Sequence, residues 1–258
     1  LKNVNANGNS GSGIVVGEAI RFPNPNQNPN QTPVTKPLTH NQSTDNSLSG
    51  LFGEFIEKSS FDMSLVKEAR ADNGICDTCE NPDNPETDLQ KSSIFCGIIN
   101  VNDNGQNGIL VDDNDTLEIC GSVNIVNTMA DLSQQNGMMV IASSTVNINS
   151  GGSVEVKNHI SNGVQVGDKS KINVLATGIL KSTDNNGDGI QVKGRSRITV
   201  LDSGTLTSTG NGGNGLLIGE GRPDRSKVIC DPEKIIDLSM NNEPVLISPN
   251  GKLEDCKF

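Results

Sequence analysis

Asn162-Gly-Val-Gln-Val-Gly-Asp-Lys-Ser-Lys-Ile-Asn-Val-Leu-Ala-Thr-Gly-Ile-Leu180 and Asp188-Gly-Ile-Gln-Val-Lys-Gly-Arg-Ser-Arg-Ile-Thr-Val-Leu-Asp-Ser-Gly-Thr-Leu206 are two lines of one pattern. Gly163/Gly189, Ser170/Ser196, Ile172/Ile198, Val174/Val200, Gly178/Gly204 and Leu180/Leu206 each stand 26 residues apart. A fixed period of this length marks a solenoid and outranks local propensity. Each line holds three short apolar runs: Val164/Val166, Ile172/Val174, then Ile179 or Leu180. Gly, Asn, Asp or Ser closes each run before a helix could form, so each reads as a strand. One line therefore predicts one rung of three strands, with equivalent strands of successive rungs paired in parallel.

Working outward, rungs are expected to start at Gly74, Gly108, Gly137, Gly163, Gly189 and Gly215, each preceded by Asn or Asp. An Asn/Asp-Gly pair suits a corner that needs a left-handed residue, and stacked Asn side chains can hydrogen-bond along the axis. Earlier, a rung starts at Gly13, and residues 1–12 read as the third strand and closing turn of an incomplete rung. A last rung starts at Pro244 and stops after its second strand, so residues 244–258 are also incomplete. Residues 23–60 are a polar, Asn/Pro/Gln/Thr/Ser-rich insertion that turns partly helical near Leu51, and 80–90 are a shorter one. Phe61, Met63 and Leu65 alternate as a strand re-entering the stack. Residues 1–258 thus predict a single elongated all-β domain.

Crossovers between parallel strands are right-handed in nearly all proteins. The architecture so predicted resembles the right-handed parallel β-helix of the pectate-lyase-like superfamily. That resemblance implies three strands per coil, coils of about 26 residues and one long inserted loop. It rests on repeat geometry and carries no enzyme signature.

The chain of 258 residues has 20 basic and 31 acidic side chains, a net charge of −11. That balance argues against nucleic acid and anionic membrane surfaces. No apolar run approaches the roughly 18 residues of a membrane span, so no membrane insertion is expected. Leu1 in place of Met reads as a processed chain or a segment of a longer one. Six cysteines fit an oxidising, extracellular setting. Cys96 and Cys120 occupy one position on adjacent rungs, where strands stack about 4.8 Å apart, so they are expected to pair. By the same alignment Cys230 pairs with Cys256, leaving Cys76 with Cys79. Asn30-Gln-Thr, Asn41-Gln-Ser and Asn114-Asp-Thr are glycosylation acceptors in a secreted eukaryotic chain.

Function is read from the ends. The N-terminus offers a lone third strand, with Leu1 and Val4, and the C-terminus a first and second, with Val245, Ile247, Leu253 and Phe258. The remainders complement each other, so copies are expected to stack head to tail, or the chain to continue into flanking β-helical units, as an extracellular filament or surface fibre. The 23–60 insertion would project sideways. The alternative is a glycan-binding or glycan-processing β-helix of lyase or epimerase type. Its candidate groups are the acidic run Asp112-Asp-Asn-Asp115 with Glu118, and the basic Lys169/Arg195 and Lys171/Arg197 pairs, which repeat at the rung period. No catalytic residues and no cofactor are assigned. Asp184-Asn-Asn-Gly-Asp-Gly189 matches the first half of a calcium loop through Asp184, Asn186 and Asp188, but Arg195 stands where a bidentate Glu belongs.

Overall fold

The computed structural model describes residues 2–8, 12–17, 76, 79, 92–127, 136–219, 225–231 and 236–257. The strands run in chain order as β1 (Lys2–Asn5), β2 (Ile14–Val16), β3 (Ser92–Asn102), β4 (Ile109–Val111), β5 (Thr116–Ile119) and β6 (Ser122–Val126). They continue with β7 (Met138–Val140), β8 (Thr145–Ile148), β9 (Ser153–Lys157), β10 (Val164–Val166), β11 (Lys171–Val174) and β12 (Ile179–Thr183). Then follow β13 (Ile190–Val192), β14 (Arg197–Val200), β15 (Thr205–Thr209), β16 (Asn214–Ile218), β17 (Lys227–Cys230), β18 (Glu243–Ile247) and β19 (Lys252–Glu254). Every named pairing is parallel and links equivalent strands of neighbouring rungs, as in Ile172↔Ile198 and Leu180↔Leu206. The chain is a parallel β-helix.

First strands form one sheet, in the order β18-β16-β13-β10-β7-β4-β2. Second and third strands form a sheet joined at β3, whose eleven residues run through the corner at Gly97. Alternation sends one side of each strand inward. The columns Ile14–Ile109–Met138–Val164–Ile190–Leu216 and Leu117–Val146–Ile172–Ile198–Val228 are buried throughout. No rung has an interior of its own, so each column is dry only because the next rung covers it.

The rung-start glycines do not work as the sequence implied. Gly137, Gly163 and Gly189 are not left-handed; positive φ falls instead at turn residues such as Asp168, Lys169, Asp184, Arg195 and Asp202. A Cβ on Gly189 would collide with Ser208 Oγ and Asn211 Nδ2, and one on Gly163 with Ser182 Oγ. Ser182 and Ser208 stand in the inner column that Val101, Ile125 and Val156 fill earlier, and each donates to a rung-start carbonyl, Gly189 O at 2.7 Å and Gly215 O at 2.6 Å. Close approach, not backbone handedness, selects glycine here.

Two further expectations are corrected. The first-strand sheet passes directly from Ile14–Val16 to Ile109–Val111, so no rung starting at Gly74 lies between them. The rung begun at Gly13 takes its second and third strands from Ser92–Asn102. Its first and second strands are thus separated by one excursion. The 23–60 and 80–90 insertions, and the strand expected at Phe61, Met63 and Leu65, lie outside the described residues.

The cysteine pairing also differs. Cys76 pairs with Cys120 and Cys79 with Cys96, in place of Cys96–Cys120 and Cys76–Cys79, while Cys230 pairs with Cys256. Cys96 and Cys120 are neighbours on adjacent rungs, but in-register parallel strands point their Cβ atoms the same way and do not converge as a disulfide requires. Cys230 and Cys256 succeed because they are out of register. Ile229 pairs with Glu254, and Asp255 turns left-handed and swings Cys256 toward Cys230, with Cα atoms 5.0 Å apart. Cys76 and Cys79 therefore pin the excursion to two successive rungs. Peptide mapping without reduction is expected to recover 76–120, 79–96 and 230–256, and Cys76→Ser with Cys120→Ser to cost about 2–4 kcal/mol in urea unfolding. A 96–120 linkage in the native protein would contradict this clamp.

Candidate functional site

Three features stand out from the repeating wall: a polar ladder inside one corner, the two ends of the stack, and the outward columns. The ladder lies four residues before the rung starts at Gly189 and Gly215 and three before the one at Pro244. Asn185 N and Nδ2 both donate to Asn211 Oδ1, at 3.1 and 2.9 Å. Asn211 N and Nδ2 donate in turn to Asn241 Oδ1, at 2.9 and 2.8 Å, and Asn241 Nδ2 donates to the Leu238 and Ser208 carbonyls. Asn185 and Asn211 are buried, so the ladder satisfies backbone groups that the turn leaves over. Sequence reasoning foresaw stacking at the residue before each glycine. That second ladder exists too, with Asn162 Oδ1 accepting from Asp188 N and Asp188 Oδ1 from Asn214 N and Nδ2. The inner one was legible as Asn185, Asn211 and Asn241, had the alignment been extended beyond the strands.

His159 takes the Asn position one rung before Asn185 and its N–H donates to Asn185 Oδ1 at 2.9 Å. The ring is buried and Nε2 faces the Ile125 carbonyl at 3.4 Å. Burial lowers its pKa from 6.5 to about 4, against the upward pulls of that carbonyl and of Asp103.

The ends differ. Leu216 and Ile218 are fully buried, yet their counterparts Val245 and Ile247 in the last rung are half-buried and 41 % exposed. Leu253, under which Val228 is buried, is likewise half-buried. Among the described residues no strand lies beyond β18 or β19. At the other end Val4 is half-buried in a lone third strand against β3. There Ile14, Val16 and Phe95 are covered. Leu1 and Phe258 lie outside the described residues.

On the outside, the candidate calcium ligands are held apart by separate duties. Asp184 Oδ2 is 3.4 Å from Lys157 Nζ, Asp188 caps Asn214, and the Asn186 side chain is exposed. No group of three His, Cys, Asp or Glu suited to a metal occurs among the described residues. Of the acidic run, Asp112 Oδ1 accepts from Asp113 N, while Glu118 is buried and anchors an outer ladder. Its Oε1 and Oε2 accept from Asn147 Nδ2 at 2.7 Å and Asn149 Nδ2 at 2.9 Å, and Asn147 Oδ1 accepts from Asn173. Asn114 is an exposed turn residue, sterically open to a glycan; Asn30 and Asn41 lie outside the described residues. Three disulfides belong to an oxidising, non-cytoplasmic compartment, and no helix among the described residues is long and apolar enough to cross a membrane.

No protein-family model, curated protein or solved structure matches the chain.

Asn211→Ala leaves the polar groups of Asn185 and Asn241 unpaired inside the wall. It is expected to cost roughly 2–4 kcal/mol in urea unfolding, against under about 0.5 for the exposed Asn186→Ala. His159 adds a pH signature. Between pH 6.5 and about 4 the unfolded chain takes up a proton that the folded ring refuses, so stability is lost as pH falls through that window, by up to about 3 kcal/mol. His159→Asn is expected to flatten this part of the profile of melting temperature against pH; an unchanged slope would show that the loss lies elsewhere.

Proposed function

We propose that the protein is an extracellular structural rod whose C-terminal face continues into further rungs, supplied by another copy stacked head to tail or by a flanking β-helical unit. Exposure of Ile247 in a column whose other members are buried carries this reading. An uncovered apolar rung beside unpaired strand edges is an association surface. Among the described residues no named third strand lies above residues 236–238, where Asp237 bridges Thr207 and Ile236 N donates to the Lys257 carbonyl at 2.7 Å. The strand β1 is such a piece: it stands in the third-strand column and leads through residues 6–13 into a first strand. Each join then adds rungs about 4.8 Å apart, and a heterologous contact of this kind forms open filaments. Ile14 and Val16 are buried in the single chain, so joining at that end is expected to be slower than simple docking. The 23–60 insertion is read as the laterally displayed element.

Sedimentation and negative-stain microscopy of the disulfide-intact protein are expected to show rods that lengthen with concentration. Ile247→Asp should leave the circular dichroism spectrum intact and abolish the longer species. A strict monomer at millimolar concentration, or a closed dimer that grows no further, would overturn head-to-tail stacking.

A further inference from the structure

The outward side of the second-strand sheet carries a charge arrangement that the fold does not need. Register pairing places Lys171, Arg197, Lys227 and Lys252 directly above one another on four successive rungs. At the strand spacing of a sheet this is a line of four cations about 14 Å long, parallel to the rod axis. Lys169, exposed in the turn before β11, flanks the line. Like charges directly opposite across a ladder destabilise it, so the column opposes folding. Elsewhere the same chain stacks opposite charges, as at Glu155 and Lys181 of the third-strand sheet, 2.9 Å apart. Of the four cations only Lys227 has a carboxylate within 4.0 Å among the described residues, Glu254 at 3.7 Å.

Two residues further along the same strands, and on the same face, the neighbouring column runs Glu118, Asn147, Asn173, Thr199, Ile229 and Glu254, with its amide and hydroxyl stretch beside Lys171 and Arg197. Thr199 Oγ1 and Arg197 Nε are both shielded from solvent and without a hydrogen-bond partner. A cation line beside a row of amide and hydroxyl groups fits a strand-like ligand that bears regularly spaced anions and hydroxyls. We propose that this face binds an extended anionic polysaccharide, carboxylated or sulfated, laid along the rod axis.

Charge and composition favour this occupant over nucleic acid. The chain has no Trp or Tyr on which bases would stack, and single-stranded nucleic acids rely on such platforms. Its disulfides place it in a compartment where acidic glycans, not nucleic acids, are the abundant polyanions. The strip lies within one chain, so it does not depend on filament formation.

The test is calorimetric titration of the full disulfide-bonded chain at low salt with three probes: a heparin octasaccharide, an oligogalacturonate of similar length and a neutral dextran. Binding of the heparin or galacturonate fragment, and not of dextran, is expected, with affinity falling as salt rises. The two anionic arms decide whether sulfate is required or carboxylate suffices. Lys171→Gln, Arg197→Gln and Lys252→Gln together should weaken binding at least tenfold while leaving the melting temperature unchanged or raised. Lys181→Gln on the other sheet should leave binding unaltered. Absence of binding to both anionic probes, equal loss in Lys181→Gln, or tighter binding of a single-stranded oligonucleotide would each overturn the proposal.

Discussion

In-register stacking is the constraint from which everything else in this rod follows. The strands of a rung find their backbone hydrogen-bond partners on the rung above and the rung below. Each rung must therefore repeat the path of its neighbour within a fraction of an ångström. The repeat is strictest where the wall is tightest. At Gly163 and Gly189 a single added carbon meets a serine hydroxyl across the corner, and at Gly121 it meets the backbone of Gly97. At mid-strand the demand is looser: Leu, Val, Ile and Met exchange freely within the inner columns, and the Val101–Ile125–Val156 column turns polar at Ser182 and Ser208.

The same constraint sorts the polar residues. Amides stack where a corner leaves backbone groups over, because one side chain can donate to the rung above it and accept from the rung below. Inside the wall Asn185 donates to Asn211 and Asn211 to Asn241, while nearer the surface Asn162 Oδ1 accepts from the Asp188 backbone N–H and Asp188 Oδ1 accepts from Asn214. His159 is the odd member of the first set: its imidazole fills the site without continuing the amide chain, and burial keeps it neutral. Outward columns are freer: amides stack in some of them, as Asn147 and Asn173 do, but no corner demands it. Their contents therefore carry more functional information than the glycines and valines that make the repeat visible, which is why a run of four cations there asks for a ligand.

The excursion between the first and second strands of the Gly13 rung is held by chemistry and not by the repeat. Cys76 and Cys79 fasten it to Cys120 and Cys96, two adjacent steps of the same corner. In a solenoid stabilised only by nearest neighbours, a staple across two rungs adds a link that the repeat itself does not supply. The opposite end carries its own bridge, Cys230–Cys256, but leaves Ile247 uncovered. The ends are thus alike in being cross-linked and unlike in how much of the interior they leave open.

By itself the sequence determined the fold from Gly108 to the C-terminal rung, because a 26-residue period with apolar alternation admits one way to bury its valines and isoleucines. It also showed the place of each strand within its rung, since that place is encoded in the strand's own alternation. Only the tertiary structure decided the partners of the cysteines and the absence of a rung at Gly74. Both depend on which chain-distant elements lie side by side, and Ile14 meets Ile109 across 95 residues with nothing local to announce it. It likewise decided why the rung-start glycines are glycines, because the obstructing atom, a serine oxygen 19 residues away, becomes a neighbour only when the coil closes.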